Sequence, residues 1–120
     1  MDELTFKRRT KQLGLEVIRF VEGLPKNRTC DTIGRQLLRS ATSIGANYRA
    51  ACRGKSRADI SKLSIVEEEA DETLYWLELL AEVETSERPA VKRLMADSEA
   101  ILAMTVASLK TLRSNPKSKI

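Results

Sequence analysis

At 120 residues the chain has room for one domain, and 42% hydrophobic with 32% charged residues is an ordinary globular balance. Five glycines, three prolines and 4% aromatic residues argue against a turn-rich all-β fold. The net charge is +4, and the absence of histidine excludes Ser-His-Asp and Cys-His catalysis, histidine-ligated metals and Glu-x-x-His di-iron sites. A non-enzymatic protein with no cofactor and no metal is therefore expected. No apolar run approaches the roughly 18 residues a membrane span requires. The start, Met1-Asp-Glu-Leu-Thr-Phe-Lys-Arg-Arg, carries no apolar signal segment after its charges. The expectation is a cytoplasmic protein with no membrane partner.

Breakers at Gly23-Leu-Pro-Lys-Asn27, Gly54-Lys-Ser56 and Thr85-Ser-Glu-Arg-Pro89 divide the chain, and Asn115-Pro116 ends its last regular stretch. The first stretch, about Leu4 to Glu22, repeats Phe6, Leu13, Val17, Phe20 and Leu24 at helical spacings. The second, about Asp31 to Arg53, carries Ile33, Leu37, Ala41, Ile44, Tyr48 and Ala51 on one stripe, with Asp31 as N-cap and Gly54 as C′ residue. The third, about Arg57 to Glu84, runs Ile60, Leu63, Val66, Ala70, Leu74, Leu77 and Leu80 or Ala81, capped by Ser56 with Asp59 as its weak partner. The fourth, about Pro89 to Ser114, shows Val91, Leu94 or Met95, Ile101 or Leu102, Thr105, Leu109 and Leu112. Pro89 fits a first turn, where its missing N–H has no helical partner. Four amphipathic helices with short loops predict an all-α, up-down-up-down antiparallel four-helix bundle. Residues 1–114 form that single domain, and 115–120 form a basic tail expected to be disordered.

On this plan Cys30 and Cys52 lie on one helix, roughly 33 Å apart at about 1.5 Å per residue, too far for a disulfide. The middle of the same helix, Arg39-Ser-Ala-Thr-Ser-Ile-Gly-Ala-Asn-Tyr48, is rich in small and hydroxylated residues. Its Gly45 costs about 1 kcal/mol against alanine in a helix interior. Two readings stand side by side. One is close helix approach, with Ser and Thr bonding back to helix carbonyls. The other is a polar surface bearing Asn47 that packs against another subunit.

The run Leu38-Arg-Ser-Ala-Thr-Ser-Ile-Gly-Ala-Asn-Tyr48, then Gly54-Lys-Ser-Arg-Ala-Asp59, then Ile65 to Leu80 resembles the family of four-helix bundle proteins encoded in intervening sequences of bacterial 23S ribosomal RNA genes. The likeness covers most of the chain, and the Arg39-Ser40-Ala-x-Ser43-Ile-x-x-Asn47 signature is its most specific part. It implies an up-down bundle that associates as a homopentameric ring. It also implies kinship with the accessory protein of diversity-generating retroelements, a pentameric barrel that binds nucleic acid and a reverse transcriptase. Two departures stand out: Arg49-Ala50-Ala51 replaces a common Glu-Gly after Tyr48, and the Asp59-Ile60 junction lacks an aromatic residue. The first makes the end of the second helix more basic.

Charge is unevenly placed. Residues 1–60 hold 13 basic and 6 acidic side chains, net +7, whereas residues 61–120 hold 8 and 11, net −3. An up-down bundle brings Lys7, Arg8, Arg9, Lys11, Arg49, Arg53, Lys55, Arg57, Lys62, Lys110, Arg113, Lys117 and Lys119 to one pole, 13 cations against Asp2, Glu3 and Asp59. Helix dipoles explain Arg53, Lys110 and Arg113 at helix C-termini. They do not explain Lys7, Arg8, Arg9, Lys11 or Arg57 near helix starts. A phosphate backbone, RNA or DNA, is the obvious anionic partner, and few aromatics nearby leave little for base stacking. The acidic run Glu67-Glu-Glu-x-Asp71-Glu72 spreads round its helix and reads as a solvated face rather than a metal site. Antiparallel pairing about Lys55 sets Arg39 opposite Asp71, close to Glu68 and Glu72, for a structural salt bridge. Tyr75 and Trp76 are adjacent and cannot both face the core, so one is expected to enter it and the other to meet a neighbouring subunit. Together with Ser40, Ser43, Gly45, Asn47 and Glu72 they form the expected packing and subunit set. The functional expectation is a homo-oligomer that binds nucleic acid through its basic pole. The alternative is a structural or protein-interaction adaptor with no nucleic-acid role and no partner legible in the sequence.

Overall fold

The computed structural model describes residues 2–53, 57–83 and 88–115. They build four helices, α1 (Glu3–Glu22), α2 (Arg28–Arg53), α3 (Arg57–Val83) and α4 (Arg88–Ser114). Asp2 starts α1: its Oδ1 accepts the Thr5 N–H at 2.7 Å, and Glu3 places a carboxylate in the first turn, where the helix dipole favours it. Gly23 closes α1 by donating its N–H to the Phe20 carbonyl at 3.1 Å, and Leu24 folds back into the core.

The start of α2 corrects the expected Asp31 cap. Asn27 holds that position: its Oδ1 accepts the Cys30 N–H at 2.8 Å and its carbonyl accepts the Asp31 N–H at 2.9 Å. The helix therefore begins at Arg28, and Asp31 lies in its first turn as a favourable charge. The proposed roles of Gly54, Ser56 and Asp59 at the next junction, and of residues 116–120 as a tail, fall outside the described residues or side chains. Pro89 does lie in the first turn of α4.

Consecutive helices pack together and α1 closes against α4, so α1 and α3 are diagonal, as are α2 and α4. The result is an antiparallel up-down-up-down bundle measuring 48 × 20 × 19 Å. Its core follows the expected stripes, except that Ile33 and Ile60 are only half-buried at its margin. Leu13, Val17, Leu37, Ile44, Leu63, Val66, Leu77, Leu80, Ile101 and Leu109 are all buried. Fully burying such side chains contributes about 1.5–3 kcal/mol each against exposure. Of the alternatives left open in the sequence, Leu80, Leu94 and Ile101 are buried, while Ala81, Met95 and Leu102 pack at the core's margin. At one end Phe6 stacks on Tyr48, centroids 4.2 Å apart.

Small residues bring α1 and α2 close. An ideal Cβ on Gly45 would lie 3.5 Å from the Thr10 carbonyl carbon and oxygen, in ordinary contact with the backbone of α1. Ser40, Ser98 and Thr105 are buried and bond back to the carbonyls of Leu37, Leu94 and Ile101, so polar groups inside the bundle remain satisfied.

Candidate functional site

The start of α1, the end of α2, the start of α3 and the end of α4 bring the expected cations to one pole of the bundle. Arg8, Lys11, Arg49, Arg53, Lys62, Lys110 and Arg113 are exposed there, with Lys7 and Arg9 half-buried. Among these described side chains only Lys7 has an ion pair, 4.0 Å from Glu3 on its own helix. Arg113 donates to Ser64 Oγ at 3.2 Å, tying the end of α4 to α3. Lys55 and the side chain of Arg57 lie outside the described residues.

Two depressions gather several of these cations. A groove between α1 and α2 is lined by Lys7, Lys11 and Arg49, with Gly14 and Gly45 in it and Leu15 and Ile18 along one side. A shallower one on the outer side of α1 brings together Arg8, Arg9 and Lys11 beside Leu15. Near the same pole, burial and then a hydrogen bond with Glu3 push the Cys52 thiol up to about 11. Burial likewise raises the Tyr48 phenol well above its usual range. Cys52 is therefore a neutral thiol at physiological pH, without the thiolate that makes a cysteine nucleophilic. Both cysteines are free.

The signature residues of α2 lie away from that pole. Arg39 pairs with Glu69, Nη1 to Oε2 at 3.1 Å, and its Nη2 bonds to Glu72 Oε1. The Glu72 hydrogen bond holds the guanidinium above its usual range, and Trp76 Nε1 donates to the same carboxylate oxygen at 3.3 Å. Beneath this pair the buried hydroxyls of Ser40 and Thr73 meet at 2.9 Å across α2 and α3. The salt bridge forms with Glu69 and Glu72 rather than with Asp71 or Glu68, both of which are exposed. The helix phase explains the difference: 69, 72, 73 and 76 recur at spacings of three and four on the side facing α2. Asn47 donates to the Ser43 carbonyl and lies equally close to its Oγ, both at 2.9 Å and within α2.

Trp76 packs against the core while Tyr75 is 52% exposed, and the rings touch edge to face. Among the described residues no three Asp, Glu or Cys side chains are grouped to hold a metal ion, and no helix is long and apolar enough to cross a membrane. The sequence reading missed Leu15 and Ile18, 38% and 40% exposed beside the groove. Their signal was available: both are apolar yet fall off the Phe6, Leu13, Val17, Phe20 stripe.

Fold and surface together define an elongated all-α bundle with a cationic end and an α2–α3 pair locked by one arginine. The chain belongs to the 23S rRNA-intervening sequence protein family, whose model matches residues 2–107. It is also similar to a crystal structure from Bacteroides thetaiotaomicron VPI-5482, a protein with unknown function from the S23 ribosomal protein family. The two are 34% identical, the alignment covers 92% of this chain and 100% of that one, and the TM-score is 0.84. No curated protein matches the chain.

Proposed function

We propose that this protein is a non-enzymatic homo-oligomer, a pentamer, whose basic pole binds the phosphate backbone of RNA or DNA. One observation carries the reading: Arg8, Arg9, Lys11, Arg49, Arg53, Lys110 and Arg113 converge from three helices on one end, and none is ion-paired among the described residues. Cations that share a depression, as Lys7, Lys11 and Arg49 do, repel one another, and a bound anion relieves that repulsion. Polyanionic backbones supply such anions at regular spacing. Five copies in a ring would multiply the field. Among the described residues no exposed aromatic side chain lies among these cations, which suits backbone binding with little sequence preference.

Leu4, Leu15, Ile18 and Tyr75 are exposed and favour a second reading, a protein-interaction adaptor without a nucleic-acid role. Charge reversal separates the two. Replacing Arg9, Arg53, Lys110 and Arg113 by glutamate should abolish binding of a labelled single-stranded RNA or duplex DNA. Reversing Lys26, Arg28 and Arg93, outside the basic pole, should change it little. Equal losses from the two sets would defeat the pole as the binding surface and leave the adaptor reading.

A further inference from the structure

Two exposed ridges run along diagonal helices. On α1, Leu4, Arg8, Lys11, Leu15 and Ile18 follow one another at spacings of four, three, four and three, and all are exposed. On α3, Glu68, Asp71, Tyr75, Glu78 and Glu82 repeat at three, four, three and four, also exposed throughout. This is the spacing of a coiled-coil seam, in which a straight line of side chains meets another helix. Leu4 is 57% exposed and Tyr75 52%, so large apolar groups on both lines stand in water within a single copy. The α1 ridge is apolar and cationic, and the α3 ridge carries four carboxylates round one aromatic ring.

We propose that the α1 ridge, with the groove beside it, receives the α3 ridge of a second copy of this chain. The inference rests on the self-association proposed above and names its surface. Because α1 and α3 are diagonal, one copy cannot pair its own two ridges. Pairing α1 with α1 would oppose cations, and pairing α3 with α3 would oppose four carboxylates to four. Only the unlike pairing joins opposite charges, so each copy offers one surface forwards and the other backwards. Such a head-to-tail contact closes into a ring when its rotation allows. Tyr75 is the central side chain of its ridge, and the α1–α2 groove offers it a floor at Gly14 and Gly45 with Leu15 and Ile18 alongside. Lys11 and Arg49 line the same groove, within reach of the flanking carboxylates. Arg8 and Lys11 thus move from the phosphate surface to the subunit contact, leaving the pole's remaining cations for nucleic acid.

The test is the mass in solution at micromolar concentration, by light scattering, of wild type and three charge variants. Arg8→Glu with Lys11→Glu should reduce the assembly to the 13.5 kDa monomer. Asp71→Lys with Glu78→Lys should do the same. All four changes in one chain should restore the wild-type mass, because the two carboxylates introduced on α1 then face the two ammonium groups introduced on α3. Ile18→Asp, which leaves those four charges alone, should also give monomer, and it decides the matter if a charge variant fails to fold. A monomeric wild type would overturn self-association itself. An oligomeric wild type whose variants keep its mass, or whose fourfold variant stays monomeric, would overturn this surface while leaving self-association in place.

Discussion

Gly45 gives the sharpest test of how α1 meets α2. An ideal Cβ there lies 3.5 Å from the Thr10 carbonyl carbon and oxygen and 3.6 Å from the Lys11 nitrogen, all ordinary van der Waals distances. Gly45→Ala therefore adds a methyl group without a clash. Relieving glycine's helix penalty should stabilise the fold by up to about 1 kcal/mol. Gly45→Leu adds three further carbons in the floor of the α1–α2 groove, beside the main chain of Thr10 and Lys11, and overpacking of this kind costs about 1–3 kcal/mol. For a chain of this size each kcal/mol moves the melting temperature by roughly 3–6 °C. The alanine variant should melt a few degrees above wild type and the leucine variant below it, followed by circular dichroism at fixed protein concentration. If alanine destabilises, or leucine leaves the transition unchanged, the close approach of α1 at Gly45 is wrong.

Other consequences follow from particular side chains. Arg39→Met strips the partner from Glu69, whose side chain is only 12% exposed. Since Arg39 itself is half exposed, the loss should be about 1–2 kcal/mol rather than that of a fully buried pair, and Glu69→Gln in the same chain should recover part of it in urea denaturation. Cys52 should react slowly with iodoacetamide at pH 8 and faster as pH climbs towards 11, the value to which burial and Glu3 push it. The unfolded thiol ionises first, near 9, so stability from this site is intact below that pH and declines between about 9 and 11; Cys52→Ser should flatten that decline in chemical denaturation at alkaline pH.

The core stripes were legible because three- and four-residue spacing maps directly onto a helix face, as Leu13, Val17, Leu63, Val66 and Leu77 show. The start of α2 was harder. Lys26, Asn27, Arg28 and Thr29 contain no apolar residue to set the phase, so periodicity could not tell Asn27 from Asp31 as the cap. The Arg39 pair was located to within one turn by reflecting α3 across the loop, but reflection fixes height and not helical phase. It therefore named Glu72 rightly, but set Asp71 and Glu68 beside it where the structure uses Glu69. At the pole the sequence identified the cations and the topology that gathers them. Which of them share a groove depends on the crossing of α1 over Gly45, and no linear pattern encodes that. Leu15 and Ile18 went unread because apolar residues on two sides of α1 look alike until a neighbour covers one side.

The central claim, that the basic pole binds phosphate backbones, is tested most directly by measuring wild-type affinity for a labelled single-stranded RNA and a duplex DNA by fluorescence anisotropy across a salt series. Each phosphate contact releases condensed counterions, an entropy gain that shrinks as bulk salt rises. Log affinity should therefore fall linearly with log salt, by about 0.7 per contact for the single strand and about 0.9 for the duplex. No detectable binding at about 50 mM salt, or an affinity indifferent to salt, would contradict the account.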